Sequence, residues 1–171
     1  MTPKPSAFAL LHQVFVLDAY LKRRVPTARA NALVRSLVTD LLKTLHMREL
    51  GPLRVYPATD PRAPGWSFLQ PITTSHVSGH YFDCEDGSPH IRIDIYSCAT
   101  VQWRKAISAL HKHLSLGEWR ATFIDRQIDD TSAERLVLDI RGKGTTVLDE
   151  YKLSVQNRSL YGSKRSAHAS A

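Results

Sequence analysis

The sequence predicts an α+β fold, a mainly antiparallel sheet with two helices packed on one face. Two segments carry apolar residues at three- and four-residue steps, and several short runs alternate apolar with polar residues. A turn at Gly142-Lys143-Gly144 lies between two strand-like runs and adds a terminal hairpin. With 171 residues, 43% hydrophobic and 23% charged, the chain reads as one soluble globular domain over residues 1–155. Residues 156–171 read as a flexible basic tail, with Arg158, Lys164 and Arg165 set among Ser, Gly and Ala. Such a composition buries too little apolar surface to offset its ordering entropy.

The elements follow in order. Residues 13–20, QVFVLDAY, are rich in β-branched and aromatic residues and predict a first strand. After a turn at Pro26-Thr27, Thr27 is placed to cap a helix with Ala30, Leu33, Val34, Leu37, Val38, Leu41, Leu42 and Leu45 on one face. Gly51-Pro52 is the expected stop. Residues 53–56 predict a short strand, and 57–66, with three prolines and a glycine, a loop. Residues 67–82 read as an irregular or bulged strand pair, because Pro71 is excluded from a regular central ladder. A turn over 83–89 leads to a cleanly alternating strand at 91–96, then a helix over 101–114 and a strand over 118–125. Residues 135–140 and 145–153 form the hairpin. The order is β-α-β-β-β-α-β plus that hairpin, with no internal repeat.

Charge and cysteine content narrow the function classes. The formal charge is +7, concentrated in Lys22, Arg23, Arg24, Arg29 and Arg35 and in the tail. Both clusters read first as solvated surface and second as anion-binding surface. No groove-reading motif accompanies them, so a nucleic-acid module is the least supported reading. No apolar run reaches the ~18–20 residues of a membrane span, and the short apolar stretch near the start lacks a cleavage site. Two cysteines, Cys84 and Cys98, are too few for a disulfide scaffold and predict a reducing, cytoplasmic setting.

Chemistry-bearing residues crowd into 67–98: Ser67, Ser75, His76, Ser78, His80 and Cys98. The plain structural reading makes these hydroxyls that satisfy backbone groups and histidines packed beside Tyr81 and Phe82. A zinc site from His76, His80, Cys84 and His90 is a weaker alternative. Histidines four residues apart share a face only on a helix, which Pro71 and Gly79 oppose, so no metal is expected.

The segment Ser75-His76-Val77-Ser78-Gly79-His80 resembles the Ser-His-Ile-Ser-Ile-His of the small prokaryotic S-adenosylmethionine decarboxylases. Gly65-Trp66-Ser67 is similar to that family's Gly-x-Ser, with the same step from Ser67 to Ser75. Ile93-Asp94-Ile95-Tyr96-Ser97-Cys98 resembles its Val-Asp-Val-Phe-Thr-Cys strand, and Val16-Leu17-Asp18-Ala19-Tyr20 its Leu-Val-Asp-Leu-Tyr strand. The resemblance runs in matching order over about residues 13–126.

What it implies is a self-processing, pyruvoyl-dependent enzyme. Ser75 Oγ would attack the carbonyl of Thr74, and elimination from the resulting ester, followed by hydrolytic loss of ammonia, would leave a pyruvoyl group in place of Ser75 and two chains, 1–74 and 75–171. His80 would take the proton in the elimination, and Ser67 would steady the intermediate. The pyruvoyl ketone would form a Schiff base with S-adenosylmethionine and accept the electrons released with carbon dioxide. Cys98 would return the proton, a role that apolar surroundings favour. The product would feed aminopropyl groups into polyamine and spermidine synthesis, and the family's pairing implies a homodimer. Adenine stacking would fall to aromatics such as Phe15, Trp66 and Phe82.

The sequence departs from the family pattern in three ways. Thr74 stands where the family carries glutamate, the turn before the cysteine strand is longer and carries Asp83, Glu85 and Asp86, and Ala99 replaces a glycine. Residues 127–171 have no counterpart. The acidic turn suggests ornithine or arginine as alternative substrates, and the missing glutamate suggests a non-processing, binding or regulatory relative.

Overall fold

The computed structural model describes residues 11–84, 87–125 and 135–155. Its elements are β1 (Gln13–Leu21), α1 (Thr27–Leu45), β2 (Arg54–Pro57), β3 (Gly65–Ile72), β4 (Ser75–Phe82), β5 (His90–Ser97), α2 (Trp103–Leu114), β6 (Leu116–Asp125), β7 (Arg135–Lys143) and β8 (Thr146–Val155). The strands form one eight-stranded sheet in the order β2-β3-β4-β5-β1-β6-β7-β8. Every neighbouring pair is antiparallel, and both helices lie on one face, so the predicted α+β class holds.

Alternation decides which residues face the helices. Phe15, Leu17, Ala19 and Leu21 of β1 are buried, as are Ile91, Ile93 and Ile95 of β5 and Trp119, Ala121 and Phe123 of β6. They meet Ala30, Val34, Leu37, Val38 and Leu41 of α1 and Ala106, Ile107 and Leu110 of α2 in one cluster. Lys112 and His113 of α2 both bond Asp40 of α1, at 2.6 and 2.8 Å, and so pin the two helices together. These hydrogen bonds hold the Asp40 carboxyl below the usual carboxylate range.

Several boundaries differ from expectation for identifiable reasons. α1 ends at Leu45 rather than near Gly51, because His46 turns left-handed at φ 56°. Its N–H reaches Lys43 O and that of Met47 reaches Leu42 O at 2.9 Å, which closes a Schellman cap without glycine. Thr27 does not cap α1; Pro26 occupies the cap position without a side-chain bond. Residues 67–82 form two regular strands, β3 and β4, rather than an irregular or bulged pair, and with β2 and β5 four strands lie between the helices in sequence. Pro71 is accommodated because its C=O faces away from β4 and accepts Leu50 N–H at 3.0 Å, on a side where β2 has already ended. The hairpin β7–β8 is present, turning at Gly144 with φ 59°, and extends the sheet edge beyond β6. The tail expected over 156–171 lies outside the described residues. No helix among the described residues is long and apolar enough to cross a membrane.

The sheet face opposite the helices carries no covering element among the described residues. Its side chains include Ser67 and Leu69 of β3, the even-numbered residues 76–82 of β4, His90, Arg92, Asp94 and Tyr96 of β5, and Val16, Asp18 and Tyr20 of β1. Val16, Tyr20, Leu69 and Tyr151 are large, apolar and exposed there.

Candidate active site

The residues singled out from the sequence separate into two groups at opposite ends of β4. At its start, Ser75 pairs with Ser97 at the end of β5, so Thr74 and Cys98 also come together. The N–H of Cys98 donates to the carbonyl of Thr74 at 2.9 Å. That is the bond acceptor whose carbon a Ser75 nucleophile would attack, so a backbone donor is already aimed where negative charge would develop. Ser75 itself has φ 143°, a backbone region that a side chain other than glycine's rarely occupies. Strain is thus concentrated on the peptide link between Thr74 and Ser75.

Side chains brace this link. Ser97 is fully buried; its Oγ donates to Thr74 Oγ1 at 3.0 Å and accepts the Ala99 N–H at 3.0 Å. Thr73 N–H is bonded to Arg48 O at 2.9 Å. Buried Gln13 accepts Val101 N–H at 2.7 Å and donates to Asp125 at 3.0 Å, which anchors the segment after Cys98 to β1 and β6. The Ser75 hydroxyl lies 3.2 Å from His76 Nδ1. Across that ring, His76 Nε2 is 3.4 Å from Asp94 Oδ2, and Ser78 Oγ donates to Asp94 Oδ1 at 2.7 Å. Cys98 is half-buried beside this group.

The second group is at the other end of β4. Ser67 and His80 are cross-strand partners, with Oγ and Nδ1 hydrogen bonded at 2.5 Å. His80 Nε2 is buried with no partner among the described residues. Burial, followed by the nearby His90 and Arg92, holds the His80 ring below the usual histidine range. The ring leans on Phe82 at 4.1 Å, and Phe82 stacks on His90 at 4.4 Å beneath the Arg92 guanidinium. A cavity of about 340 Å³ opens beside this group, lined by Asp18, Tyr20, His90, Arg92, Glu118 and Arg120 among others. His80 lies five strand positions from Ser75, roughly 16 Å along the chain. One copy of the chain therefore does not bring His80 and Ser67 to Ser75.

The aromatics also divide. Phe15 and Trp66 point into the core at 0% and 1% exposure, where Trp66 stacks on Tyr81 at 5.0 Å. Phe82 alone of the three lies on the uncovered face. Within β4 Phe82 alternates with buried Tyr81, and Tyr81 pairs with Trp66, so register puts Trp66 on the core side and Phe82 on the other. Ser97 and Asp94 belong to the Ile93–Cys98 motif, but their contacts depend on cross-strand register, which the motif does not carry. Cys84 sits 3.8 Å from His90, away from His76, and no cluster of three metal-binding side chains occurs among the described residues. Asp83 of the acidic turn is already paired with Arg24, which also bonds Cys84 O.

Comparisons with known proteins identify the family and the fold. A family model described as S-adenosylmethionine decarboxylase matches residues 16–127, more than half of the chain. Among solved structures, the adenosylmethionine decarboxylase of Aquifex aeolicus VF5 shares the fold, with a TM-score of 0.55 and 16% identity over 72% of this chain and 97% of that one. No curated protein matches the sequence.

Proposed function

Because the chain belongs to the S-adenosylmethionine decarboxylase family, we propose that it cuts its own backbone before Ser75 and then decarboxylates S-adenosylmethionine. The observation that carries this reading is the Thr74–Ser75 link. Its carbonyl accepts the Cys98 N–H at 2.9 Å, and its following residue is held at φ 143°. A carbonyl polarised by a fixed donor and attached to a strained serine is primed for acyl transfer from nitrogen to oxygen. The same residues fit a pyruvoyl group, since position 75 abuts Cys98 and the fully buried Ser97. Such a group supplies an electron sink for decarboxylation.

The chain's own residues would do the rest. Cys98, beside position 75, is the proposed proton donor to the product carbon. His80, on the uncovered face with its Nδ1 bonded to Ser67 Oγ, is the proposed base that removes a proton during elimination. Because it stands about 16 Å from Ser75 along its own strand, it would serve the Ser75 of a second copy packed face to face. A two-fold axis running across β4 exchanges the two ends of that strand, so each homodimer would hold two complete sites. Phe82, on the same face, is the proposed stacking surface for adenine. The Arg24–Asp83 pair argues against the acidic turn as a receptor for the amine of ornithine or arginine. Decarboxylated product would serve as an aminopropyl donor for polyamine synthesis in the cytoplasm.

Intact mass of the purified, incubated protein tests the first step. We expect two chains, 1–74 and 75–171, the latter blocked at its first residue, and a single uncut chain for Ser75→Ala. Carbon dioxide release from carboxyl-labelled S-adenosylmethionine should exceed that from ornithine or arginine. A wild-type chain that stays whole on prolonged incubation would make it a non-processing binding relative instead.

A further inference from the structure

Acyl transfer needs a base for the Ser75 hydroxyl, and His80 of the same chain lies too far along β4 to provide one. His76 is already in place, with Nδ1 at 3.2 Å from Ser75 Oγ. Its other nitrogen faces Asp94 Oδ2 at 3.4 Å, and Asp94 is itself held by the Ser78 hydroxyl at 2.7 Å. This is the serine–imidazole–carboxylate logic of an activated nucleophile, with the hydroxyl on Nδ1 and the orienting carboxylate on Nε2. The arrangement depends on the strain. Adjacent strand residues normally point to opposite faces, yet the unusual φ of Ser75 accompanies a hydroxyl that reaches the ring of the next residue.

We propose that His76, oriented by Asp94, is the catalytic base that initiates self-processing, a step distinct from the elimination assigned to His80. The inference rests on the self-processing reading above. The Ser75 Oγ proton passes to His76 Nδ1 as Oγ bonds to the Thr74 carbonyl carbon, and the carbonyl oxygen gains the negative charge beside the Cys98 N–H. The C–N bond between Thr74 and Ser75 then breaks, and the leaving nitrogen takes the proton back from the imidazolium. The product is an ester from Thr74 to Ser75 Oγ with a free amine on Ser75, and no outside reactant is consumed. Asp94 is a positioning residue: it keeps the second imidazole proton on Nε2 and stabilises the imidazolium. The groups facing His76 from β5 are Asp94 and Tyr96, while Pro71 of β3 carries no titratable group.

Full-length chains made by cell-free synthesis are followed on denaturing gels, with and without hydroxylamine, which cleaves esters but not amides. The wild type should split; if it does not, self-processing itself fails. With the wild type splitting, His76→Gln should slow the appearance of fragments by about 100-fold and show no hydroxylamine-sensitive ester. His80→Ala should instead accumulate that ester. Truncation in His76→Ala leaves the space of one imidazole beside Ser75 Oγ, and added imidazole should restore cutting there. Asp94→Asn should lower the maximal rate, and Asp94→Glu, which returns a carboxylate to the Nε2 side of the ring, should recover part of the loss. Processing of His76→Gln within threefold of wild type, or ester accumulation in that variant, overturns the assignment. A His76→Ala chain that keeps the wild-type melting temperature but ignores imidazole overturns it as well.

Discussion

At the residue scale, the two neutral rings His80 and His90 make a prediction independent of catalysis. Burial is the leading cause that holds each below the usual histidine range; His80 also feels His90 and Arg92, and His90 feels Arg92. A histidine depressed in the folded state binds its proton more readily when unfolded, so the unfolded chain takes up more protons as pH falls. Stability is therefore fully present above the unfolded value of about 6.5 and declines as pH drops from there toward the folded values. The carboxylates of Asp40 and Asp139, depressed by their bonds to Lys112 and Arg120, lose their contribution only in more acidic solution. Melting temperatures of the uncut Ser75→Ala chain should fall between pH 7 and pH 5. Adding His80→Gln and His90→Gln should flatten that slope, and an unchanged slope would remove these rings as its source. Thr74 belongs to this scale too. Where relatives carry glutamate, its hydroxyl accepts from Ser97 Oγ, so a neutral bond braces the scissile link here.

At the element scale, β4 is the strand on which the chemistry depends, and Gly79 lets it lie close to β3 and β5. A Cβ at Gly79 would stand 2.4 Å from the Phe68 ring and 2.9 Å from Arg92 O. The family motif quoted above has isoleucine at this position, where this chain has glycine against the Phe68 ring. Gly79→Val should destabilise the Ser75→Ala chain by about 1–3 kcal/mol, the usual cost of overpacking, as read by urea unfolding. Gly79→Val with Phe68→Ala should recover part of that loss relative to Gly79→Val alone, since the two changes exchange volume across one contact. A double variant no better than the single one would show that the clash with Arg92 O, which is backbone, dominates.

At the scale of the whole molecule, the uncovered sheet face and the divided site are two aspects of one problem. Val16, Tyr20, Leu69 and Tyr151 are exposed on the face that also carries His80 and Phe82. A second copy packed there would cover them and supply the missing half of each site. Sedimentation should find a dimer. Co-expressed Ser75→Ala and His80→Ala chains should complement each other: neither yields fragments alone, but in the mixed dimer the His80→Ala chain meets an intact His80 and is cut. Absence of fragments in the mixture, with both single variants folded and associated, would place the base within one chain.

Local pattern settled much of this protein in advance. The three- and four-residue steps of residues 30–45 and the alternation at 13–20 and 91–96 mark α1, β1 and β5, because these periods are properties of consecutive residues. The order of short motifs from Val16 to Cys98 likewise identified the family and named Ser75, Cys98, Ser67 and His80. Tertiary structure decided how those residues are shared out. Cross-strand register set Thr74 against Ser97 and Cys98, turned Phe15 and Trp66 into the core, and separated His80 from Ser75 by the length of a strand. Contacts between residues more than twenty positions apart, and the backbone strain they sustain at Ser75, arise only when the sheet closes, so no window of sequence contains them.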